Sequence, residues 1–188
     1  MAHYLQPLLN PRSVACIGAS PKENSVGNDM LRMLRRSGFK GKVYPINPRY
    51  EEVEGYRCYP SLADLPEKAD HVILGLANAR IEAALDEAIA HGAKGATIFA
   101  SLYLENDSEP PLMRRVQAKA KAAGMQICGA NCMGFYNDEA GFWAAGFPSA
   151  REAKPGHIAC ISHSGSVFRA VAHNDPRFRF NICISPGQ

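Results

Sequence analysis

The residues able to do chemistry gather in short turns that close apolar runs. Gly18-Ala19-Ser20 ends the run Ser13-Val14-Ala15-Cys16-Ile17 and leads through a polar stretch to Val26-Gly27-Asn28. Small residues in such a turn let main-chain N–H groups approach an anion, and a helix starting near Val26 and Gly27 adds the positive end of its dipole. Without a ligand in mind, the same stretch is a tight strand-to-helix turn. Leu76-Ala77-Asn78 and Ala100-Ser101-Leu102 close two further runs, and Gly129-Ala130-Asn131-Cys132-Met133-Gly134 closes another. This last loop combines an amide, a small thiol and flexible glycines. It reads as a ligand-facing loop or as an Asx-type turn.

Spacing bears on the kind of nucleotide. A dinucleotide fingerprint needs GxGxxG after the first strand and an acidic residue at the end of the second, where it holds a ribose hydroxyl. Here the second and third glycines are missing, the loop is longer, and the second run ends Asn47-Pro48-Arg49-Tyr50. An arginine in place of the acid favours a ligand with an additional phosphate, held by a charge-assisted hydrogen bond. NADP and coenzyme A both meet that condition, and an exposed surface arginine is the plain alternative.

The elements that must position these loops alternate between strand and helix. Strands are predicted over 13–18, 42–47, 70–75, 96–100 and 125–129. Val26, Met30 and Leu34, with Leu31, form one helical stripe stopped by Gly38. Asn78 is read as the cap of a helix carrying Ile81, Ala84, Leu85, Ala88 and Ile89, with Gly92 past its end. Ser108 is read as the cap of a helix carrying Leu112, Val116, Ala120 and Ala123. This rhythm predicts right-handed βαβ crossovers and an open parallel sheet, a Rossmann-like α/β domain over residues 1–150. Ligands of such sheets sit at the carboxyl ends of the strands, where all of these loops fall. Residues 134–156 are rich in Gly, Ala and Pro and read as a closing loop or hairpin followed by a linker. A strand over 157–162, a helix over 164–173 and a strand over 180–185 then open a second, flavodoxin-like α/β domain at 155–188. That unit is expected to be incomplete, because about 34 residues expose too much of their surface to stand alone.

Composition narrows the classes. The 188 residues are 46% hydrophobic and 21% charged, which suits a packed core and excludes a disordered, collagen-like or coiled-coil chain. No apolar run approaches the ~20 residues of a membrane span and no signal peptide is evident, so a soluble cytoplasmic protein with no membrane partner is expected. The net charge is only +3, and basic residues are scattered apart from Arg35–Arg36 and Arg114–Arg115, so no nucleic-acid partner is expected. The six cysteines contain no CxxC pair and read as reduced core residues, with no metal site. His3, His71 and His91 read as surface or strand-edge residues, His157 as a strand start, and His173 as a cation at a helix end.

Four ordered motifs carry a family resemblance. They are Gly18-Ala19-Ser20 with Val26-Gly27, Ile46-Asn47-Pro48-Arg49-Tyr50, the loop Gly129 to Gly134, and Lys154-Pro155-Gly156 followed by Ile161-Ser162-His163-Ser164-Gly165. Together they resemble the NDP-forming acyl-CoA synthetases, which include ADP-forming acetate–CoA ligases and the alpha subunit of succinyl-CoA synthetase. The resemblance implies a first domain that binds coenzyme A. Gly18, Ala19, Ser20, Val26 and Gly27 would lie near the phosphates, and Asn47, Pro48 and Arg49 would flank the nucleotide. Leu76, Ala77, Asn78 and Ala100 would line the strand ends, with Ser101, Asn131 and Cys132 toward the pantetheine arm and thiol. Ser162, Ser164 and Gly165 would form a helix start facing the phosphate of a phosphohistidine or acyl phosphate. Departures are Ala130 where the family usually has proline, Arg49 where lysine is common, and Ser101-Leu102-Tyr103 in place of a glycine or acidic residue. His163 occupies a place usually held by Gln or Arg.

The implied reaction joins a carboxylic acid to coenzyme A at the expense of an NTP, through acyl phosphate and a phosphorylated histidine. That histidine is expected after Gln188, so no catalytic residue is expected within this chain. ATP, ADP and Mg would bind only a separate ATP-grasp domain or subunit, and self-association is left open. Two other functions compete: a stand-alone CoA-binding or regulatory protein, and an NAD(P)-dependent oxidoreductase.

Overall fold

The computed structural model describes residues 3–149, 152, 154–174 and 177–188, the side chains of His173 and Asn174 excepted. Ala150, the end of the expected first domain, and the side chain of His173 therefore lie outside the described residues. Helix α1 (Gln6–Leu9) precedes β1 (Ser13–Ile17), α2 (Val26–Arg36) and β2 (Lys42–Ile46). A small hairpin, β3 (Glu52–Val53) and β4 (Tyr56–Arg57), and a 3-10 turn over Leu62–Asp64 fill the polar stretch. Then come β5 (His71–Leu74), α3 (Asn78–His91), β6 (Gly95–Ile98), α4 (Leu112–Ala122) and β7 (Gln126–Cys128). The chain continues with β8 (Gly134–Asn137), β9 (Phe142–Ala144), β10 (Ile158–Ile161), α5 (Gly165–Asn174) and β11 (Phe180–Ser185). No helix among the described residues is long and apolar enough to cross a membrane.

Five strands form one parallel sheet in the order β2-β1-β5-β6-β7. Strand order reverses between β1 and β5, which makes their carboxyl ends the crevice where such sheets bind ligands. Side chains alternate between the two faces as a pleat requires. Ala15, Ile17, Val72, Leu74, Ala96 and Ile98 pack under α3 and α4, against Ile81, Leu85, Leu112 and Val116. Val14, Cys16 and Ile73 face the other way, onto Met30, Leu31 and Leu34 of α2 and onto Phe135 and Phe142 of β8 and β9. Full burial of each such Leu, Ile or Phe is worth about 1.5–3 kcal/mol.

The topology overturns the surface reading of His71. Its strand is the middle one of five, and the side chain is fully buried. Nδ1 faces the Pro7 carbonyl at 3.2 Å and Nε2 the Thr97 hydroxyl at 3.0 Å. A carbonyl only accepts, so Nδ1 carries the proton and Nε2 accepts from Thr97. Burial pushes the imidazole pKa down to about 4, so the ring is neutral at pH 7. His91 is half-buried, and its Nε2 accepts from the Ala69 N–H at 3.0 Å.

Both expected helix caps are corrected. Asn78 is the first residue of α3 and Ala77 is the N-cap, with no side-chain bond to the helix end. Ser108 lies outside α4. Instead Asp107 Oδ2 accepts from the Leu112 N–H at 2.6 Å, and that bond holds its carboxyl below the usual range. Amide and hydroxyl groups bond equally well to loops, so residue type alone does not choose the cap.

A second, four-stranded sheet runs β10-β11-β8-β9. β10 and β11 are parallel, while β8 is antiparallel to both β11 and β9. The sheet therefore draws on both sides of residue 150, and the division between 1–150 and 155–188 is not a division between sheets. The Gly-rich stretch supplies the hairpin because Phe135, Tyr136, Phe142 and Trp143 on it are buried. Tyr136 stacks on Phe168 of α5 with ring centroids 5.4 Å apart. Strand β10 is an edge, with Ile161 71% exposed.

Candidate functional site

The turn after β1 is built by close backbone packing. Gly18 has φ +89°, and a Cβ there would lie 2.5 Å from the Gly75 carbonyl oxygen at the end of β5. A Cβ on Gly27 would fall 2.1 Å from the Gly18 carbonyl oxygen, so only glycine lets the start of α2 rest on the turn. The Ser20 N–H donates to the Gly27 carbonyl at 3.2 Å, and Asn28 Nδ2 donates to the Ser20 carbonyl at 3.2 Å. Ser25 is the N-cap of α2, its Oγ accepting from the Asn28 N–H at 3.3 Å. Ala19 is buried, so it offers the surface its main chain alone. Val26 is half-buried at the first position of the helix.

Asn47 joins this turn to the end of β2. Its Nδ2 donates to the Ala19 carbonyl at 2.7 Å, while its Oδ1 accepts from the Arg49 N–H at 3.0 Å. Pro48 and Arg49 then project at the rim of a cleft of about 490 Å³, whose walls include Gly18, Ser20, Asn47, Tyr50, Ser61, Arg80 and Glu87. Pre-shaped main chain, hydroxyls and two guanidinium groups line one concavity at the reversal of strand order. Such a surface is suited to a phosphorylated nucleotide.

The ends of β5, β6 and β7 are tied to one another beside it. Asn78 Nδ2 donates to the Tyr103 carbonyl at 2.7 Å and to Ser101 Oγ at 3.2 Å, and its Oδ1 accepts from the Leu102 N–H at 3.0 Å. The amide thus spends its polar capacity on the loop after β6, where Leu102 has φ +57°. The Asn131 N–H donates to the Ala100 carbonyl at 2.9 Å, which fastens the loop after β7 to the same rim. Leu76 is half-buried against Gly18, Ala77 and Ser101 are exposed, and Asn131 is exposed with φ +53°.

Cys132 turns the other way. It is 3% exposed, belongs to the core beneath α2, and its Sγ lies 3.3 Å from the Ile98 carbonyl and 3.6 Å from that of Cys128. The neighbouring thiol of Cys132 and burial hold the Cys128 thiol well above its ordinary value. Of the residues expected near a pantetheine arm, Ser101 and Asn131 reach the surface and the Cys132 side chain does not.

The turn between β10 and α5 is a built helix start. Ser164 Oγ accepts from the Val167 N–H at 3.2 Å, and Ser162 Oγ donates to the Ser164 carbonyl at 3.1 Å. A Cβ on Gly165 would lie 3.1 Å from Met133 Cγ, so this turn abuts the loop that follows β7. His163 is exposed, with Nδ1 facing the Gly187 carbonyl at 3.0 Å. Among the described residues no group of three or more His, Cys, Asp or Glu could hold a metal ion.

Ser61, Arg80 and Glu87 lie outside the strand-end turns that the sequence marks. Arg80 and Glu87 were legible only as polar positions of an amphipathic helix. Their spacing of seven sets them on one face, and the fold turns that face to the cleft.

The chain is similar to proteins already known. The CoA binding domain family matches residues 12–138. ADP-forming acetate–CoA ligase I of Archaeoglobus fulgidus is 35% identical over 89% of this chain, which covers 24% of the ligase. The alpha subunit of ADP-forming acetate–CoA ligase II of Pyrococcus furiosus is 32% identical over 90% of this chain and 36% of the subunit. Among solved structures, dinucleotide-forming acetyl-coenzyme A synthetase 1 of Ca. Korarchaeum cryptofilum, in complex with phosphate and ADP, superposes with a TM-score of 0.88. It is 31% identical, and the alignment covers 97% of this chain and 39% of that one. The present chain thus spans well under half the length of each.

Proposed function

The chain belongs to the CoA binding domain family, and from that premise we propose that it is the coenzyme A-holding part of an NDP-forming acyl-CoA synthetase. The reaction proposed for the whole enzyme is carboxylic acid + NTP + CoA to acyl-CoA + NDP + phosphate, by way of acyl phosphate and a phosphohistidine. Splitting the reaction over a covalent relay divides one difficult step into easier ones. The relay histidine and an ATP-grasp domain or subunit, which would bind the nucleoside triphosphate and Mg, are assigned to parts outside these residues. We place the activity in the cytoplasm, where reduced thiols persist; none of the six cysteines is in a disulfide.

The observation that carries this reading is the cleft at the ends of β1 and β2. Gly18, Ser20, Asn47, Pro48 and Arg49 line it; the turn Gly18-Ala19-Ser20 and the start of α2 at Val26 and Gly27 are assigned to a pyrophosphate, with Asn47, Pro48 and Arg49 beside the nucleotide. The rim fastened by Asn78, with Leu76, Ala77, Ala100, Ser101 and Asn131, is assigned to the pantetheine side. Cys132 supports that side from within, since its thiol is buried. Ser162, Ser164 and Gly165 are assigned to a phosphate in transfer, held by the α5 dipole and the hydroxyls.

Calorimetry with coenzyme A and with NADP tests the reading. Saturable binding of coenzyme A, without turnover by this chain alone, is the expected result. Tight binding of NADP with no response to coenzyme A overturns it.

A further inference from the structure

Arg80 stands in the first turn of α3, exposed, on the wall of the cleft that Arg49 lines from the end of β2. Among the described residues neither guanidinium has an ion pair or a side-chain hydrogen bond, in contrast to Arg115, which is bound by Glu82 and Asp107. Two uncompensated cations on facing elements of one concavity of about 490 Å³ make a site for an anion. The third charged group there, Glu87, lies two helical turns beyond Arg80 on the same helix. Its carboxylate repels an anion, which leaves the Arg80 end of the cleft as the place for one.

Which anion follows from the neighbouring loops. The Gly18 and Ser20 N–H groups are held by the Ile46 and Gly27 carbonyls, so the start of α2 is the donor end that suits a pyrophosphate. The end of the second strand in such a sheet is the ribose side. A phosphate monoester carries about −1.5 to −2 charges at pH 7, which one guanidinium leaves partly unmatched and two match. We propose that Arg80 and Arg49 together grip a ribose phosphate monoester and make the cleft select coenzyme A over its 3′-dephospho form. This inference rests on the coenzyme A reading of the same cleft.

The experiment is calorimetry of the chain, at one fixed salt concentration, with coenzyme A, 3′-dephospho-coenzyme A and NADP. The wild-type chain should prefer coenzyme A to the dephospho form by about 10- to 100-fold, the worth of one or two charge-assisted hydrogen bonds. Arg80→Gln should weaken coenzyme A about tenfold and leave the dephospho form within about twofold, with Arg80→Lys in between. Arg49→Gln should show the same selective loss. Equal affinity of the wild-type chain for the two forms, or an equal loss for both on Arg80→Gln, overturns the assignment and leaves the coenzyme A reading standing. Failure to bind either form, with NADP bound tightly, overturns that reading and the assignment together. Arg80 is exposed and has no partner among the described residues, so the thermal midpoint of Arg80→Gln should match the wild type, which separates lost binding from lost folding.

Discussion

The carbonyl oxygen of Gly18 and the α-carbon of Gly27 are packed so closely that a methyl group on the latter would sit 2.1 Å from the oxygen. Helix and turn are thus pressed together at the place proposed to face a phosphate. Gly75 closes the arrangement from the other side, its own carbonyl against Gly18.

Gly27→Ala should therefore destabilise the chain although alanine is the better helix former. The propensity gain is at most ~1 kcal/mol, while forcing an atom into packed backbone costs about 1–3 kcal/mol. Urea denaturation should show a lower midpoint with an unchanged slope, and calorimetry a weaker response to coenzyme A. A midpoint at or above the wild-type value would show that the turn yields freely and is not a rigid cradle.

Asn78 should matter for the loop after β6 more than for its own helix. Asn78→Ala removes a donor to Tyr103 and Ser101 and an acceptor for the Leu102 N–H. The net loss should be about 1–2 kcal/mol. Hydrogen exchange at the Leu102 amide should accelerate while amides in the middle of α3 keep their protection. Asn78→Asp keeps the acceptor for Leu102 and sets a carboxylate against the Tyr103 carbonyl, so it should rescue the Leu102 amide alone.

Stability should fall as pH is lowered from about 6.5 toward 4. Burial depresses the folded-state pKa of His71 to about 4, while the unfolded imidazole keeps its ordinary value near 6.5. Between those values the unfolded chain binds the extra proton, so the contribution is complete above the upper value and is lost progressively below it. The full effect is at most about 3 kcal/mol and is reached only below the folded-state value. Chemical denaturation at pH 7 and pH 5 should show the decline, and His71→Gln should reduce it to the part left by His91, whose pKa burial also lowers. The carboxyls of Glu82 and Asp107, held low by hydrogen bonds from Arg115 and the Leu112 N–H respectively, add their own decline only at more acidic pH. An undiminished slope in His71→Gln would assign the pH dependence elsewhere.

Much of the first sheet is readable from local pattern. Apolar runs such as Val14 to Ile17 and Val72 to Leu74 mark strands, and Ile81, Leu85 and Ala88 mark the buried stripe of α3, because these periods depend only on a residue's near neighbours. The turns at Gly18 and Asn47 follow from that, as they fall where strands end. The hairpin of β8 and β9 is less legible, since its glycines and alanines resemble a linker until Phe135 and Trp143 find a core. Asn78 was recognisable as important, but its task was not: an amide at a helix start caps as readily as it clamps a loop.

What the sequence by itself determined is the alternation of strands and helices and the set of turns gathered at their carboxyl ends, because both arise from short-range periodicity and chain stereochemistry. Only the tertiary structure decided that the strand of His71 is central, that Arg80 looks into the cleft with Arg49, and that Cys132 faces inward. Those outcomes depend on which strands lie side by side and how each helix is rotated on the sheet. Such choices are made by packing between residues far apart in the chain, and no local pattern contains them.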